Sequence, residues 1–415
     1  MNILKNTGMV NDLIINTKPS SDGKTRAKAT SIEINTKKVK FPGKTIHTSL
    51  SSNDELTLIK KEIDLPSANE IAIQITPKLL REIIGDPRKH QEIKENIRKK
   101  SIEKYINIGY PLLLNQRSSH EDKVSFKPFG KPTQRIIEKI FDLFDVENMD
   151  VIILPSPSPN GNSVEWCKLA TDIFLKRKSE FMNEFLISGV VPLGNPENHV
   201  KEIIEYYLKN NIQALSFDFC RRKVLESRMR EILESYIGIE KWEKMFIHGT
   251  NVPANNSMAY REPTLGLYDI LVSVYGFDAF GGIISGGGDL PEKNKIKETM
   301  RRKRFRFIDT YGDYNYDGLK ILSEQKNLKL NSSILKTSNP IEIYDEKTAT
   351  IPSFLQLSKE LRNHRNYVTH KEMNKFYDLI NNKKFLSHIQ EKKASAKELN
   401  SILNEFQIEK LNKFY

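Results

Sequence analysis

Apolar residues occur along this chain in short runs that alternate with stretches of helical periodicity. Eight runs have the length of strands, and most are apolar at successive positions, as strands covered on both faces are. They are KTIHTSL (44–50), EIAIQIT (70–76), PLLLN (111–115), DVIILPSPS (150–158), FLISGVVPL (185–193), IQALSFDF (212–219), KMFIHGT (244–250) and FDAFGGII (277–284). Most are followed by an amphipathic stretch. This alternation predicts an α/β fold, a (β/α)8 TIM barrel.

The segments outside these runs predict additions to the barrel. SIEINTKKVKF alternates as a strand does, so residues 1–43 are expected to form an N-terminal strand hairpin. The barrel is expected over residues 44–325, and residues 326–415 are expected to form a C-terminal helical subdomain. A doubly wound open sheet is the rival fold, but it would need a G-x-G-x-x-G turn after its first strand, and the sequence has none there.

Composition restricts the kinds of site, the cellular location and the partners expected for this protein. The chain has 415 residues, two cysteines and a net charge of +12. Two cysteines exclude a disulfide framework and a four-cysteine zinc site. The sequence offers no apolar run of the ~18 residues that a membrane helix needs and no signal-peptide pattern, so we expect a cytoplasmic protein without a membrane partner. The basic balance favours a polyanionic partner such as nucleic acid, or reflects general lysine enrichment.

The positive charge is concentrated in KNKIKETMRRKRFRF, residues 293–307. This segment holds eight basic residues and one acid, whereas a solvated helix face usually mixes signs. We therefore expect contacts with nucleic-acid phosphates. The side chains expected to make them are Arg301, Arg302, Lys303, Arg304 and Arg306. The overlapping RFRFIDTYGDYNYDG (304–318) fits a base-stacking surface, or a buried aromatic strand beside a charged turn.

The catalytic and ligand-binding residues of such barrels lie at the C-terminal ends of the strands. Asp218 in ALSFDF and Asp278 in YGFDAF are the carboxylates expected at strand ends, where a pair can serve as nucleophile and general acid or base. Each could instead cap a helix or pair with an arginine. His248 is a candidate pocket residue or a satisfied core histidine. The glycines of GGIISGGG fit close approach of a flat ligand or a plain loop.

The order of several motifs resembles the tRNA-guanine transglycosylases. ELRNHRNYVTHKEMNKFYDLINNKKF (360–385) is similar to a C-terminal helix of that family, with His364 at its zinc-ligand histidine. GFDAFGG (276–282) is similar to the GxDxFD motif of the eighth strand, and the resemblance spans roughly residues 40–390. It implies a zinc-containing (β/α)8 glycosyltransferase of tRNA modification, which exchanges guanine for a 7-deazaguanine base.

The resemblance also implies that the usual catalytic groups are missing. The general-base aspartate falls on Asn115, the strand-four aspartate on Ser156 and the strand-five glutamine on Ser188. The strand-six Gly-Gly falls on Phe217 and Asp218, and the strand-eight nucleophile falls on Gly281. Gly282 and His248 complete the predicted substrate pocket. The zinc cysteines fall near Ser333, Leu335 and Ser338, which leaves His364 without thiolate partners, so we expect no zinc and no other cofactor.

Three functions follow as hypotheses. The first is a diverged transglycosylase that exchanges a base in tRNA or DNA, with Asp278 and Asp218 as its carboxylates. The second is a catalytically inactive nucleic-acid-binding homologue, either a homodimer or the partner subunit of an active transglycosylase. The third is a different barrel enzyme that binds a small phosphorylated ligand at the glycines of 281–288.

The basic segment leads to a first prediction. Replacing Arg301, Arg302 and Arg304 together should weaken binding of tRNA or duplex DNA, because fewer condensed counterions are released. The slope of log affinity against log salt should become less steep by about 0.9 for each lost phosphate contact. Fluorescence anisotropy at several salt concentrations measures both quantities. Unchanged affinity in the triple variant would count against phosphate contact by this segment.

Overall fold

The computed structural model describes fourteen stretches of the chain. They are residues 14–20, 25–48, 67–114, 116–120, 123–127, 130–157, 162–220, 226–253, 268–282, 307–308, 316–317, 369–392, 399–400 and 402–404.

A parallel barrel forms the centre of the described structure. Its strands are β4 (Gly43–Lys44), β5 (Ile46–His47), β6 (Ala68–Ile75), β7 (Ile106–Leu113), β10 (Val151–Ile153), β12 (Leu186–Pro192), β13 (Ala214–Asp218), β14 (Phe246–Val252) and β15 (Ala279–Gly282). Short β4 pairs with β15 and short β5 pairs with β6, and only Thr45 separates the two. Segment 43–47 therefore acts as one strand that joins both edges of the sheet. The predicted (β/α)8 barrel is confirmed.

Further strands lie outside this barrel. The N-terminal sheet contains β1 (Ile14–Pro19), β2 (Lys28–Ile34) and β3 (Lys37–Phe41), all antiparallel. The remaining strands are β8 (Gln116–His120), β9 (Lys123–Lys127), β11 (Ser156–Pro157), β16 (Phe307–Ile308) and β17 (Tyr316–Asp317). The N-terminal addition predicted as a hairpin is thus a three-stranded sheet.

Helices follow the barrel strands. They are α1 (Pro77–Gly85), α2 (Pro87–Lys100), α3 (Gln134–Phe144), α4 (Ser163–Arg177), α5 (Glu197–Lys209), α6 (Glu226–Glu231), α7 (Ile239–Glu243), α8 (Tyr268–Leu271), α9 (369–381) and α10 (Phe385–Gln390). A π-helical turn (Ile232–Ile237) continues α6, and 3-10 turns follow α4 (Lys178–Glu180) and α8 (Val272–Tyr275).

Local sequence explains where the first helices begin. Thr76 and Asp86 each precede a proline, and their side chains accept hydrogen bonds from the backbone N–H groups of Leu79 and Arg88. Proline is favoured at the first helical position because that position lacks an intrahelical N–H partner. The helices then pack closely on the outer face of the barrel. At Gly109 a Cβ would lie 2.5 Å from the ring of Phe144 on α3, so a side chain there would displace that helix.

Two strand boundaries differ from the sequence prediction. Strand β7 begins at Ile106, because INIGY continues the extended run that was predicted to start at Pro111. Strand β15 begins at Ala279, so Asp278 precedes the strand instead of following it. The expectation that Asp278 lies at a C-terminal strand end is therefore wrong.

The N-terminal sheet closes the N-terminal end of the barrel. Two carboxylates that directly precede barrel strands accept lysines from this sheet. Lys37 of β3 pairs with Asp150, just before β10, and Lys28 of β2 pairs with Asp278, just before β15. The C-terminal helix α9 meets the same end, where the Nδ1 atom of His370 lies 3.4 Å from the hydroxyl of Ser67. Ligands are consequently expected to enter at the opposite end of the strands.

The pair of Lys28 and Asp278 has no exposed side-chain surface. The Lys28 Nζ atom lies 3.0 Å from the Asp278 Oδ2 atom and also donates to the carbonyls of Trp242 and Met245. The Asp278 Oδ2 atom accepts a further bond from the backbone N–H of Ile247, at 2.8 Å. Burial lowers the pKa of Lys28 and raises that of Asp278, while the partner opposes each change. Asp278 thus holds the N-terminal sheet against the barrel.

This geometry predicts a large effect of breaking the pair. The Asp278→Asn variant should lose about 3–5 kcal/mol of unfolding free energy, because it leaves the Lys28 charge buried without a counterion. The double variant Lys28→Met/Asp278→Leu should recover much of that loss, since it leaves no charge behind. Urea denaturation followed by circular dichroism measures the effect.

Lys38 of β3 provides a matched control. Its Nζ atom lies 3.8 Å from Glu33, and its side chain is 66% exposed. Lys38→Met should therefore change the unfolding free energy by only about 0–1 kcal/mol. A similarly small effect of Asp278→Asn would contradict the role assigned to the buried pair.

Candidate active site

Strand alternation decides which side chains point into the barrel. Outward positions are marked by glycines and aromatics that meet helices, as at Gly189, where a Cβ would lie 2.5 Å from the Tyr207 ring of α5. The residues one position away point inward, and the register places them beside each other. His47 pairs with Glu70, and Ser216 pairs with His248. Polar inward residues are His47, Glu70, Tyr110, Ser188, Ser216, Asp218 and His248.

Glu70 is the least satisfied of these groups. Its side chain has no exposed surface, and neither carboxylate oxygen has a partner in hydrogen-bond geometry among the described residues. Its Oε1 atom lies 3.6 Å from His47 Nδ1, and its Oε2 atom lies 3.3 Å from His248 Nε2. A buried carboxylate without strong donors is costly. Such a group is a candidate for chemistry.

Gly281 provides the space that Glu70 occupies. A Cβ at residue 281 would lie 2.2 Å from Glu70 Oε2 and 2.8 Å from the His47 ring. Carbon and oxygen cannot approach so closely, so a side chain at 281 and the present Glu70 carboxylate exclude each other. The carboxylate thus lies where a side chain from residue 281 would project.

Two imidazoles flank the carboxylate from different strands. Burial lowers the pKa of His47, and the Glu70 charge opposes that change. The Nδ1 atom of His248 lies 3.2 Å from the hydroxyl of Ser216, which lies 2.8 Å from that of Ser188. Predicted pocket residues His248 and Ser188 therefore belong to one buried polar chain.

Asp218 lies at the C-terminal end of β13, as predicted, and points inward. Its Oδ1 atom accepts from the Cys220 backbone N–H at 2.8 Å and from Asn251 Nδ2 at 2.9 Å. Its Oδ2 atom accepts from the Tyr110 hydroxyl at 3.2 Å. Burial raises the pKa of Asp218, and the Glu70 charge adds to that effect, whereas the three donors oppose it. Burial likewise raises the pKa of Tyr110 well above its ordinary value.

The other residues that the sequence assigned to the pocket do not lie beside Glu70 or fall outside the described part of the chain. Phe217 points outward and packs against Trp242 and Phe277, so it does not line the interior. Ser156 is buried in β11, which pairs with β7. Asp278 lies at the closed end of the barrel, away from Glu70. The predicted residues outside the described part of the chain are Asn115, Arg301, Arg302, Lys303, Arg304, Arg306 and His364.

Glu70 was missed because only strand ends were considered. A signal exists in EIAIQIT, where Glu70, Ala72 and Gln74 alternate with three isoleucines. In a parallel barrel the isoleucines face the helices, which leaves the glutamate on the inner face. The sequence does not reveal that two histidines from distant strands would meet it there.

No group of three or more His, Cys, Asp or Glu residues in the described stretches has the geometry of a metal site. Within the same stretches, no helix is sufficiently long and apolar to span a bilayer.

Comparisons with known proteins identify no family for this chain. A scan of protein-family models finds no match, and a search of curated proteins finds none. Among solved structures, the chain is similar to a protein from Pseudomonas aeruginosa assigned to the aldo-keto reductases, with 10% identity, a TM-score of 0.31 and coverage of 65% of this chain and 90% of that one. It is also similar to the carboxyl transferase domain of Rhizobium etli pyruvate carboxylase with pyruvate, with 9% identity and a TM-score of 0.33. The latter match covers 89% of this chain and 61% of the other. Neither likeness identifies the chemistry of this chain.

The buried Asp218 predicts a pH effect on stability. Because burial raises its pKa, the folded protein holds this proton more tightly than the unfolded chain does. Its favourable contribution is complete below about pH 4 and declines as pH rises toward the folded pKa. Asp218→Asn cannot titrate, so its unfolding free energy relative to the wild type should increase from about pH 4 toward neutrality, by about 1.4 kcal/mol per tenfold difference in proton affinity.

Urea denaturation at a series of pH values tests this prediction. Glu95→Gln serves as a control of opposite sign, since the hydrogen bond from Arg98 lowers the pKa of Glu95. That variant should lose stability relative to the wild type as pH rises. A stability difference for Asp218→Asn that is independent of pH would contradict the assigned proton affinity.

Proposed function

We propose that this protein is a diverged transglycosylase that exchanges a guanine-type base in tRNA or DNA, with Glu70 as the reacting carboxylate. One observation carries the proposal. The resemblance to the tRNA-guanine transglycosylases implies a nucleophilic aspartate at residue 281, where this chain has glycine. The carboxylate of Glu70 occupies the space beside that glycine. A carboxylate therefore remains at this point of the interior, although it comes from the second barrel strand.

The proposed chemistry is a double displacement at the anomeric carbon. A Glu70 oxygen bonds to C1′ as the glycosidic C–N bond breaks, and the departing base gains a proton. The incoming base then attacks C1′ through its ring nitrogen, releases Glu70 and loses a proton. Asp218 is proposed as the proton carrier, because it ends β13 and lies within electrostatic range of Glu70.

A second candidate is a nucleic-acid-binding homologue without catalysis, including a partner subunit of an active transglycosylase. The burial of Glu70 favours it, because the carboxylate has no surface exposed to a ribose. The hydrogen bonds that already occupy Asp218 favour it as well. The net charge of +12 agrees with either candidate.

Labelled base exchange separates the candidates. Purified protein is incubated with tRNA or duplex DNA and radiolabelled guanine or 7-deazaguanine, and incorporation into polymer is counted. The wild type should incorporate label into one polymer, and Glu70→Gln should reduce the rate by about 10⁴-fold or more, as loss of a nucleophile does. Incorporation at equal rates by Glu70→Gln would overturn the assignment of Glu70. Binding without incorporation would favour the second candidate.

A relocation variant provides the matched control. Glu70→Ala removes the carboxylate, and the added change Gly281→Asp restores one from the strand where the family resemblance implies it. The double variant should recover part of the activity that Glu70→Ala loses. Gly282→Asp in the same Glu70→Ala background places an acid one position away, on the other face of the strand, and should recover none. Equal recovery by both would exclude a specific role for position 281.

A further inference from the structure

A series of polar side chains in contact with one another crosses the barrel interior and ends at Glu70. It begins at Ser188 on β12, continues through Ser216 on β13 and reaches His248 on β14. The successive distances are 2.8 Å between the two hydroxyls, 3.2 Å from Ser216 Oγ to His248 Nδ1, and 3.3 Å from His248 Nε2 to Glu70 Oε2. All four residues are fully buried. Apolar side chains would fill this interior at a lower desolvation cost, so this series of buried polar side chains requires an explanation.

The polar contacts on its two sides restrict the orientation of the His248 ring. A carboxylate oxygen facing an imidazole nitrogen is stable only with a proton between them, which places that proton on His248 Nε2 when Glu70 is ionised. The Ser216 hydroxyl holds the other ring nitrogen, and Ser188 holds Ser216. The ring therefore has a fixed orientation, with its Nε2 edge toward Glu70. This is the arrangement in which one polar group orients another that reacts.

We propose that His248 is a positioning residue, which holds the ionised carboxylate of Glu70 beside residue 281 and is itself oriented by Ser216 and Ser188. This role rests on the proposed function in that Glu70 is taken as the reacting group. It also makes a claim that needs no substrate: His248 presents a protonated Nε2 atom to the buried carboxylate of Glu70.

Other charged or titratable groups also face Glu70. His47 approaches its Oε1 atom from β5, and Lys44 on β4 acts on His47. Tyr110 on β7 and Asp218 on β13 interact electrostatically with Glu70. A protonated His47 would attract the Glu70 carboxylate, whereas an ionised Asp218 would repel it. The test must therefore compare variants of His248 with a variant of His47.

Nitrogen-15 NMR of the full-length protein tests the claim without substrate. Histidine is labelled in its ring, and the His248→Leu spectrum identifies the resonances of His248. In the wild type the Nε2 atom should carry the proton, because it faces a carboxylate. Glu70→Gln should weaken this preference, and Ser216→Ala should change the Nδ1 resonance, because it removes the hydroxyl beside that atom. His47→Leu should leave both resonances of His248 nearly unchanged.

Exchange assays then connect position to rate. His248→Leu should lower the exchange rate at pH 7 by about 10²-fold, the cost of a misplaced reacting group. His248→Gln should restore part of the rate. If His248→Leu does not fold, the smaller Ser216→Ala change carries the test.

The two proposals fail in different ways. A wild-type His248 without a proton on Nε2, or one whose resonances Ser216→Ala and Glu70→Gln leave unchanged, would overturn the role of His248, whatever the activity. An Nε2-protonated ring that responds to both changes, in a protein that exchanges no base, would leave the positioning of Glu70 standing and overturn the transglycosylase function.

Discussion

Closure of the barrel by segment 43–47 is the constraint on which the rest of the structure depends. Gly43 and Lys44 pair with β15, Ile46 and His47 pair with β6, and Thr45 donates from both its backbone and its hydroxyl to the carbonyl of Phe280. A closed sheet has no free edge and fixes the stagger of every strand. The stagger brings His47, Glu70 and Gly281 to one point of the interior. The candidate site is therefore a product of closure and not of any one loop.

Asp278, Asp218 and Glu70 are buried carboxylates whose environments differ. Asp278 is paired with a lysine, and Asp218 accepts three hydrogen bonds. Among the described residues Glu70 faces two imidazole nitrogens, at 3.6 Å and 3.3 Å, and neither contact has hydrogen-bond geometry. A folded protein tolerates a poorly solvated charge where that charge performs a task, because stability alone would select against it. This contrast, rather than proximity to a strand end, distinguishes Glu70 from the other two carboxylates.

The sequence predicts the architecture better than the site. Apolar runs and the helices between them depend on local composition, and they correctly predict the eight strands of the barrel. Strand ends are less certain, and Asp278 was assigned to the open end although it directly precedes Ala279, where β15 begins. Glu70 and His248 are distant in sequence, and only register and closure bring them together. The resemblance directed attention to residue 281 but could not reveal which side chain fills the space there.

The pair of Lys28 and Asp278 has a consequence for dissecting the molecule. A fragment that begins at residue 44 would retain all the barrel strands except the first residue of β4, yet it would lack Lys28 and leave Asp278 buried without that counterion. It would also lose β4's Gly43 and the lysine that pairs with Asp150. The N-terminal sheet is thus part of the cooperative folding unit of the barrel, although its strands stand apart from it in topology. Deletion or circular permutation would have to keep residues 25–43 beside the barrel, whichever chain supplies them.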